Sequence, residues 1–202
     1  MSRAFYIAFE GAEGCGKSTH AQRLATAIDA VVTRETGGTA IGQRLREILH
    51  DTSVTDLNDH AEALIVAADR AQHMAEVVRP ALAAGRHVVS DRSVYSTLAY
   101  QGYGRGLPLD DLRRVNDWAI GETWPDLVIL LRVPADVTAE RLRKRDLDRF
   151  EQAGADFHRR VDAGFATMAA ADPATWVVID GTMPKDVVAA AVRDAVRERL
   201  GI

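Results

Sequence analysis

The residues best suited to chemistry by type and spacing lie near the start of the chain. Gly11-Ala12-Glu13-Gly14-Cys15-Gly16-Lys17-Ser18 fits the pattern G-x-x-x-x-G-K-[ST]. Phosphate oxygens need several donors converging from one side, and glycines let the backbone wrap so that successive N–H groups point inward. A helix following such a loop adds its unpaired N-terminal N–H groups and the positive end of its dipole. Lys17 can then reach the β- and γ-phosphates, and the Ser18 hydroxyl can ligate Mg²⁺. With Thr19 as its last member, the run Gly11–Thr19 reads as a site for ATP. Cys15, inside the loop at a helix N-terminus, has two readings. It is a small residue that fits, which we favour, or it makes the nucleotide site redox-sensitive.

Three further segments could share that site. Asp91-Arg92 closes an apolar run; an acid there can serve Mg²⁺ or its waters, and the arginine can fork onto a phosphate. The alternative is a surface ion pair. Thr33-Arg34-Glu35-Thr36-Gly37-Gly38-Thr39 is a second glycine-rich loop. From Arg141 to Arg149 the chain reads Arg-Leu-Arg-Lys-Arg-Asp-Leu-Asp-Arg. The variable phosphate-loop positions Ala12, Glu13 and Cys15 hold no basic residue, so charge neutralisation at a transferring phosphoryl must come from elsewhere. An arginine-rich lid over roughly 141–153, supplying Arg143, Arg145 and Arg149 and excluding water, fits that need better than a solvated helix face.

The elements that must position these residues follow from periodicity. Short apolar runs at Ala4–Glu10, Ala30–Thr33, Arg86–Ser90, Asp126–Val133 and Trp176–Asp180 predict five strands. Helical spacing is found in Lys17–Asp29, where Ala21, Leu24, Ala25 and Ile28 share a face, and around Ile41–Leu49. Further helices are expected at His60–Arg79, ended or kinked by Pro80, then at Asp110–Glu122, within Asp136–Arg149, at Asp156–Ala170 and at Lys185–Leu200. The 60–79 segment is apolar on most sides, so it is central or buries a second face against a partner. Strands alternating with helices predict a three-layer α/β fold: a five-stranded parallel sheet flanked by helices, in a single domain over 1–202 with a short lid. Ligands of such sheets bind beyond the carboxyl ends of the strands, where all three loops would lie.

Composition narrows the class. At 202 residues about 70% of the unfolded chain's surface can be buried. Lys plus Arg is 25 and Asp plus Glu 29, a net charge of −4, so no basic footprint for nucleic acid shows at this level. One cysteine excludes an internal disulfide and a cysteine-based zinc site, and the six histidines lack ligand-like spacing. The longest clean apolar run, Leu127–Leu131, is far too short to span a bilayer, and the N-terminus lacks signal-peptide features, so no membrane partner and a cytoplasmic location are expected. No Asn-Lys-x-Asp of a GTPase occurs. Size and loop arginines together point to a small-molecule kinase.

F-E-G-A-E-G-C-G-K-S-T, T-R-E-x-G-G-T, A-A-D-R-A-Q-H, D-R-S-V-Y-S-T-L-A-Y-Q-G and L-D-R-F-E, in that order, resemble the bacterial thymidylate kinase family over essentially the whole chain. The resemblance implies transfer of the γ-phosphoryl of ATP to dTMP, with Mg²⁺, in a homodimer. By position, Arg92 would hold the dTMP phosphate, Asp91 and Ser18 the metal side, and Glu13 the sugar 3′-hydroxyl or the metal. Arg70 would donate to thymine O4. Thr97 and Gln101 would lie along the base edge, Tyr100 beside the deoxyribose, and Arg34 and Glu35 in the acceptor-side loop. Three positions depart from the family. Thr36 stands where a cis proline is usual, so that loop is expected trans or strained. Val66 stands where a phenylalanine stacks on thymine, and the lid is short, with Asp146 before L-D-R. These bear on affinity and selectivity rather than on the reaction. Two alternatives remain, a kinase of another pyrimidine nucleotide or deoxynucleoside, and a nucleotide-binding regulator without acceptor turnover. A dimeric scaffold ranks below both.

Overall fold

Five strands form one all-parallel sheet in the order β2-β3-β1-β4-β5 in the computed structural model, which describes residues 3–143 and 148–202. They are β1 (Tyr6–Glu10), β2 (Val31–Arg34), β3 (Val88–Asp91), β4 (Leu127–Arg132) and β5 (Trp176–Asp180). Every residue of β1 is buried, as a central parallel strand covered on both faces requires. The edge strand β2 instead alternates half-buried and exposed positions. Register brings the site together: Asp91 pairs with both Phe9 and Arg34, so the ends of β1, β2 and β3 are level.

The sheet faces are covered as alternation along β1 dictates. Ile7 and Phe9 pack into the layer with α1 (Lys17–Ala27) and α9 (Lys185–Leu200). Tyr6 points to the opposite layer, among Met74, Val78 and Ile120. That layer also holds α2 (Ala40–His50), α3 (Asp59–His73), α6 (Leu109–Ile120) and α8 (Ala155–Ala171). The remaining helices are α4 (Arg79–Ala83), α5 (Val94–Thr97) and α7 (Ala135–Leu142).

Two helical segments differ from the sequence expectation. Pro80 does not end the 60–79 helix: α3 passes into a π-helical turn at Met74–Val78 and on into α4, which reaches Ala83. The wider π turn re-spaces the carbonyls ahead of Pro80, which sits in the first turn of α4 where its missing N–H does no harm. Gly85, at φ 75°, then supplies the stop. Residues 94–104, unassigned from sequence, are helical: Ser93 caps α5 by accepting from Tyr95 N, and a π-helical stretch follows at Leu98–Gly104. Its glycines there serve packing, since a Cβ on Gly104 would come within 2.6 Å of the Phe157 ring.

Phe165 on α8 is fully buried, with its ring 6.3 Å from that of Tyr100. Phe165→Ala is expected to lower unfolding stability by about 3–5 kcal/mol in urea titrations. A loss below about 1 kcal/mol would contradict this packing.

Candidate active site

A cavity of about 840 Å³ opens at the carboxyl ends of β1, β2 and β3. The loop between β1 and α1 forms its floor at one end. Gly11, Gly14 and Gly16 have φ of 135°, 73° and 102°, backbone states that L side chains rarely adopt. A Cβ on Gly11 would also stand 2.5 Å from the Leu131 carbonyl oxygen. α1 begins at Lys17 with no side-chain cap, leaving its first N–H groups for an anion. The Lys17 ammonium lies inside the loop, donating to the carbonyls of Ala12 (2.8 Å) and Gly11 (3.2 Å). Glu13, Gly14, Gly16, Lys17, Ser18 and Thr19 line the cavity, whereas Cys15 is buried in the core layer with Ile7 and Leu24. The favoured packing reading of Cys15 therefore fits its place.

Asp91 meets this loop from β3. The Ser18 hydroxyl donates to Asp91 Oδ2, while Asp91 Oδ1 is buried and has no hydrogen-bond partner among the described residues. An orphaned carboxylate oxygen beside a hydroxyl is a donor set suited to a hard divalent cation. Among the described residues no group of three His, Cys, Asp or Glu side chains could form a protein cage. Such a cation would take its other ligands from water and phosphate.

Arg92 follows in a left-handed conformation, φ 74°, which turns its side chain back over the loop. It donates to Glu13, to Ser96 Oγ (3.1 Å) and to the Tyr100 hydroxyl (2.9 Å). Glu10, fully buried at the end of β1, fixes this turn by accepting from Ser93 N, Ser93 Oγ and Ser96 Oγ. In sequence Glu10 is only the last residue of a strand, and its role comes from partners 83 and 86 residues away. Burial would push the Glu13 carboxyl up, but Arg92 and Lys17 outweigh it and hold it at about 2.

The far end of the cavity is lined by Val66, Arg70, Thr97, Tyr100 and Gln101, all five sequence candidates for the base and sugar. Arg70, 1% exposed, donates Nε–H to Glu35 (2.8 Å), its Nη1 hydrogens to Thr97 (2.9 Å) and Asn116, and one Nη2 hydrogen to the Ser93 carbonyl (3.1 Å). Among the described residues, one of its five N–H donors is left over. Glu35 has both oxygens engaged, by Arg70 and by His73 Nδ1 at 2.8 Å, so it braces the loop rather than reaching for a ligand. The Glu35–Thr36 peptide is cis. Arg34 lines the cavity and is held by Gln43 (3.0 Å). Arg46 on α2 also lines it, donating to the Thr36 carbonyl at 3.1 Å. Nothing in its local sequence separates it from a helix-surface arginine.

The described lid arginines are not all brought to the cavity. Arg143 is exposed and off the cavity lining, and Arg145 lies outside the described residues. Arg149 is turned away: it donates to Glu62 (2.5 Å) and to the Leu49 carbonyl (2.9 Å). Beside it His50 Nδ1 meets Asp148 Oδ2 at 2.7 Å, so this end of the lid is docked on α2 and α3. Arg149 is thus an anchor, because a fully buried carboxylate competes for its charge. Among the described residues of the arginine run, Arg141, not singled out from sequence, is the one placed at the phosphate loop, donating to the carbonyls of Gly14 (3.2 Å) and Gly181 (3.3 Å).

A family model described as "Thymidylate kinase" matches residues 9–192. The thymidylate kinase of Solidesulfovibrio magneticus is 45% identical, over 93% of this chain and 96% of that protein. That of Bifidobacterium longum is 41% identical, over 96% and 97%. The crystal structure of thymidylate kinase from Ehrlichia chaffeensis superposes with a TM-score of 0.79 at 28% identity, over 96% of this chain and 98% of that one.

The depressed Glu13 carboxyl sets a pH dependence. In the unfolded chain it titrates near 4.3, so between about pH 4 and pH 2 only the unfolded state binds its proton. The stability Glu13 confers is present above that window and is lost as pH falls through it, by about 1.4 kcal/mol per pH unit. Glu13→Gln is expected to flatten the acid limb of stability against pH by one proton. Superimposable limbs would contradict the Arg92–Glu13 pairing.

Proposed function

The chain belongs to the thymidylate kinase family, and on that footing we propose how its own residues transfer the γ-phosphoryl group of ATP to dTMP, giving dTDP. The observation that carries the assignment of roles is one cavity lined by both a phosphate loop and a strand-end Asp91–Arg92 pair. ATP lies with its phosphates on the loop N–H groups and Lys17, and its donor end near Arg141. Arg92 holds the dTMP phosphate, with Arg46 close by. Tyr100 packs beside the deoxyribose, and Glu13 lies at the sugar side of Arg92. Val66 faces the base, Arg70 offers its spare N–H to the 4-carbonyl, and Thr97 and Gln101 border the base edge.

A dTMP phosphate oxygen attacks the γ-phosphorus in line and ADP departs, with no covalent enzyme intermediate. Ser18 and Asp91 would hold Mg²⁺, which when bound neutralises phosphate charge. Lys17 balances charge on the bridging and γ oxygens, while the lid keeps out water that would compete as acceptor. The spare Arg70 donor favours a base with a carbonyl at position 4, hence thymine or uracil over cytosine.

We also infer a homodimer. The outer face of α3 carries Leu64, 58% exposed, with Ala61, Ile65 and Ala68, and α6 beside it presents Trp118, 88% exposed. An apolar face of this kind on packed neighbouring helices suits a second copy of the chain. No helix among the described residues is long and apolar enough to cross a membrane.

ADP release with ATP and Mg²⁺ across dTMP, dUMP, dCMP, UMP and thymidine should be fastest with dTMP. Activity confined to another acceptor would move the substrate, and ATP binding without acceptor-dependent turnover would favour the regulator. Lys17→Ala should fold normally and lose at least about 100-fold in turnover; near-normal turnover would overturn the loop assignment. Val66→Phe should tighten dTMP binding by roughly 1–3 kcal/mol through stacking. Unchanged affinity in calorimetry would remove stacking from the account.

A further inference from the structure

Glu62 is fully buried in the first turn of α3, beyond the residues assigned to the substrate. Its Oε1 accepts from Gln101 Nε2 at 2.8 Å and from Arg105 Nε at 3.3 Å. Its Oε2 accepts from Arg105 Nη2 at 3.1 Å and from Arg149 at 2.5 Å. Burial pushes this carboxyl up, but the hydrogen bonds from Gln101, Arg105 and Arg149 reverse that and hold it below the usual carboxylate range. An ionised carboxylate only accepts. Gln101 must therefore turn its NH₂ toward Glu62, which leaves its carbonyl oxygen, unpartnered among the described residues, for the cavity that Gln101 lines.

The geometry points to Glu62 as the positioning residue that sets the hydrogen-bond polarity of the base pocket. With Gln101 held carbonyl-outward and one Arg70 N–H spare, the pocket offers an acceptor next to a donor. That is the complement of an imide edge, N3–H beside C4=O, as in thymine and uracil. Cytosine presents the reverse, a bare N3 beside an amino group, and meets acceptor with donor lacking and donor with donor. The two arginines keep Glu62 charged and immobile, so the amide of Gln101 cannot invert to accommodate cytosine. The inference rests on the dTMP assignment, and it makes a residue outside the pocket responsible for pyrimidine selection.

The test measures Kd for dTMP and dCMP by calorimetry with the full chain, its Glu62→Gln and Gln101→Leu variants and the double variant. Wild type should prefer dTMP, and Glu62→Gln should reduce that preference by about tenfold, since a glutamine lets the Gln101 amide invert. The double variant should show no further loss than Gln101→Leu alone. Equal weakening of both nucleotides by Glu62→Gln, or independent losses from the two substitutions, would overturn the proposal. So would a wild type without preference. Should Glu62→Gln fail to fold, labelled wild-type protein decides by NMR. The Gln101 NH₂ protons should be exchange-protected and unmoved by dTMP while its carbonyl carbon shifts; the opposite pattern would overturn the proposal. Absence of dTMP-dependent ADP release in wild type would count against the kinase reading and leave these binding results to judge Glu62.

Discussion

A guanidinium withdrawn from water must meet a carboxylate, and this requirement organises the whole cavity. Arg70 is tied to Glu35, Arg92 to Glu13, and Arg105 and Arg149 to Glu62. The pairs differ in what remains free. Glu62 and Glu35 are fully enclosed, so their arginines are committed to structure, with Arg70 retaining one donor for a ligand. Glu13 is partly exposed on the loop, so the pair it makes with Arg92 stands at the cavity surface. The same chemistry thus separates arginines that build the site from arginines that a phosphate can engage.

That sorting depends on a level set of strand ends. Because β1, β2 and β3 stop together, the phosphate loop, the Glu35 loop and the Asp91–Arg92 turn emerge side by side. Two of the three are held from beneath by a buried acid: the Asp91–Arg92 turn by Glu10 under Ser93 and Ser96, and the Glu35 loop by Asp69 accepting from Gly37 N at 2.9 Å. His73, bridging Glu35 and Thr33, links the loop after β2 to α3. Substrate specificity and phosphate chemistry are accordingly braced by one continuous polar layer beneath the cavity.

Much of this was legible in the sequence. The glycine spacing of 11–18, the buried runs of β1 and β4 and the Asp91–Arg92 ending are local signals, and local sterics and burial decide them. What escaped depends on long-range pairing. Nothing around Arg149 marks it as an anchor rather than a phosphate ligand, yet Glu62, far away in sequence, captures it and leaves Arg141 at the phosphate loop. Arg46 and Glu10 likewise gain their roles only from neighbours on other elements. The helix over 94–104 carries Gly102 and Gly104, which are small because Leu109 and Phe157 press against them, a reason that lies on other elements. Pro80, expected to end or kink the helix, does not end it, because a π turn just ahead of it absorbs the constraint that a regular helix could not.

The division of labour among the arginines is tested most directly by a crystal structure with an adenosine–thymidine bisubstrate oligophosphate and Mg²⁺. The account predicts Lys17 and Arg92 on phosphate oxygens, Arg141 at the donor side, and Arg149 still held by Glu62 and the Leu49 carbonyl. Arg149 released from Glu62 and bound to the phosphate chain would contradict it.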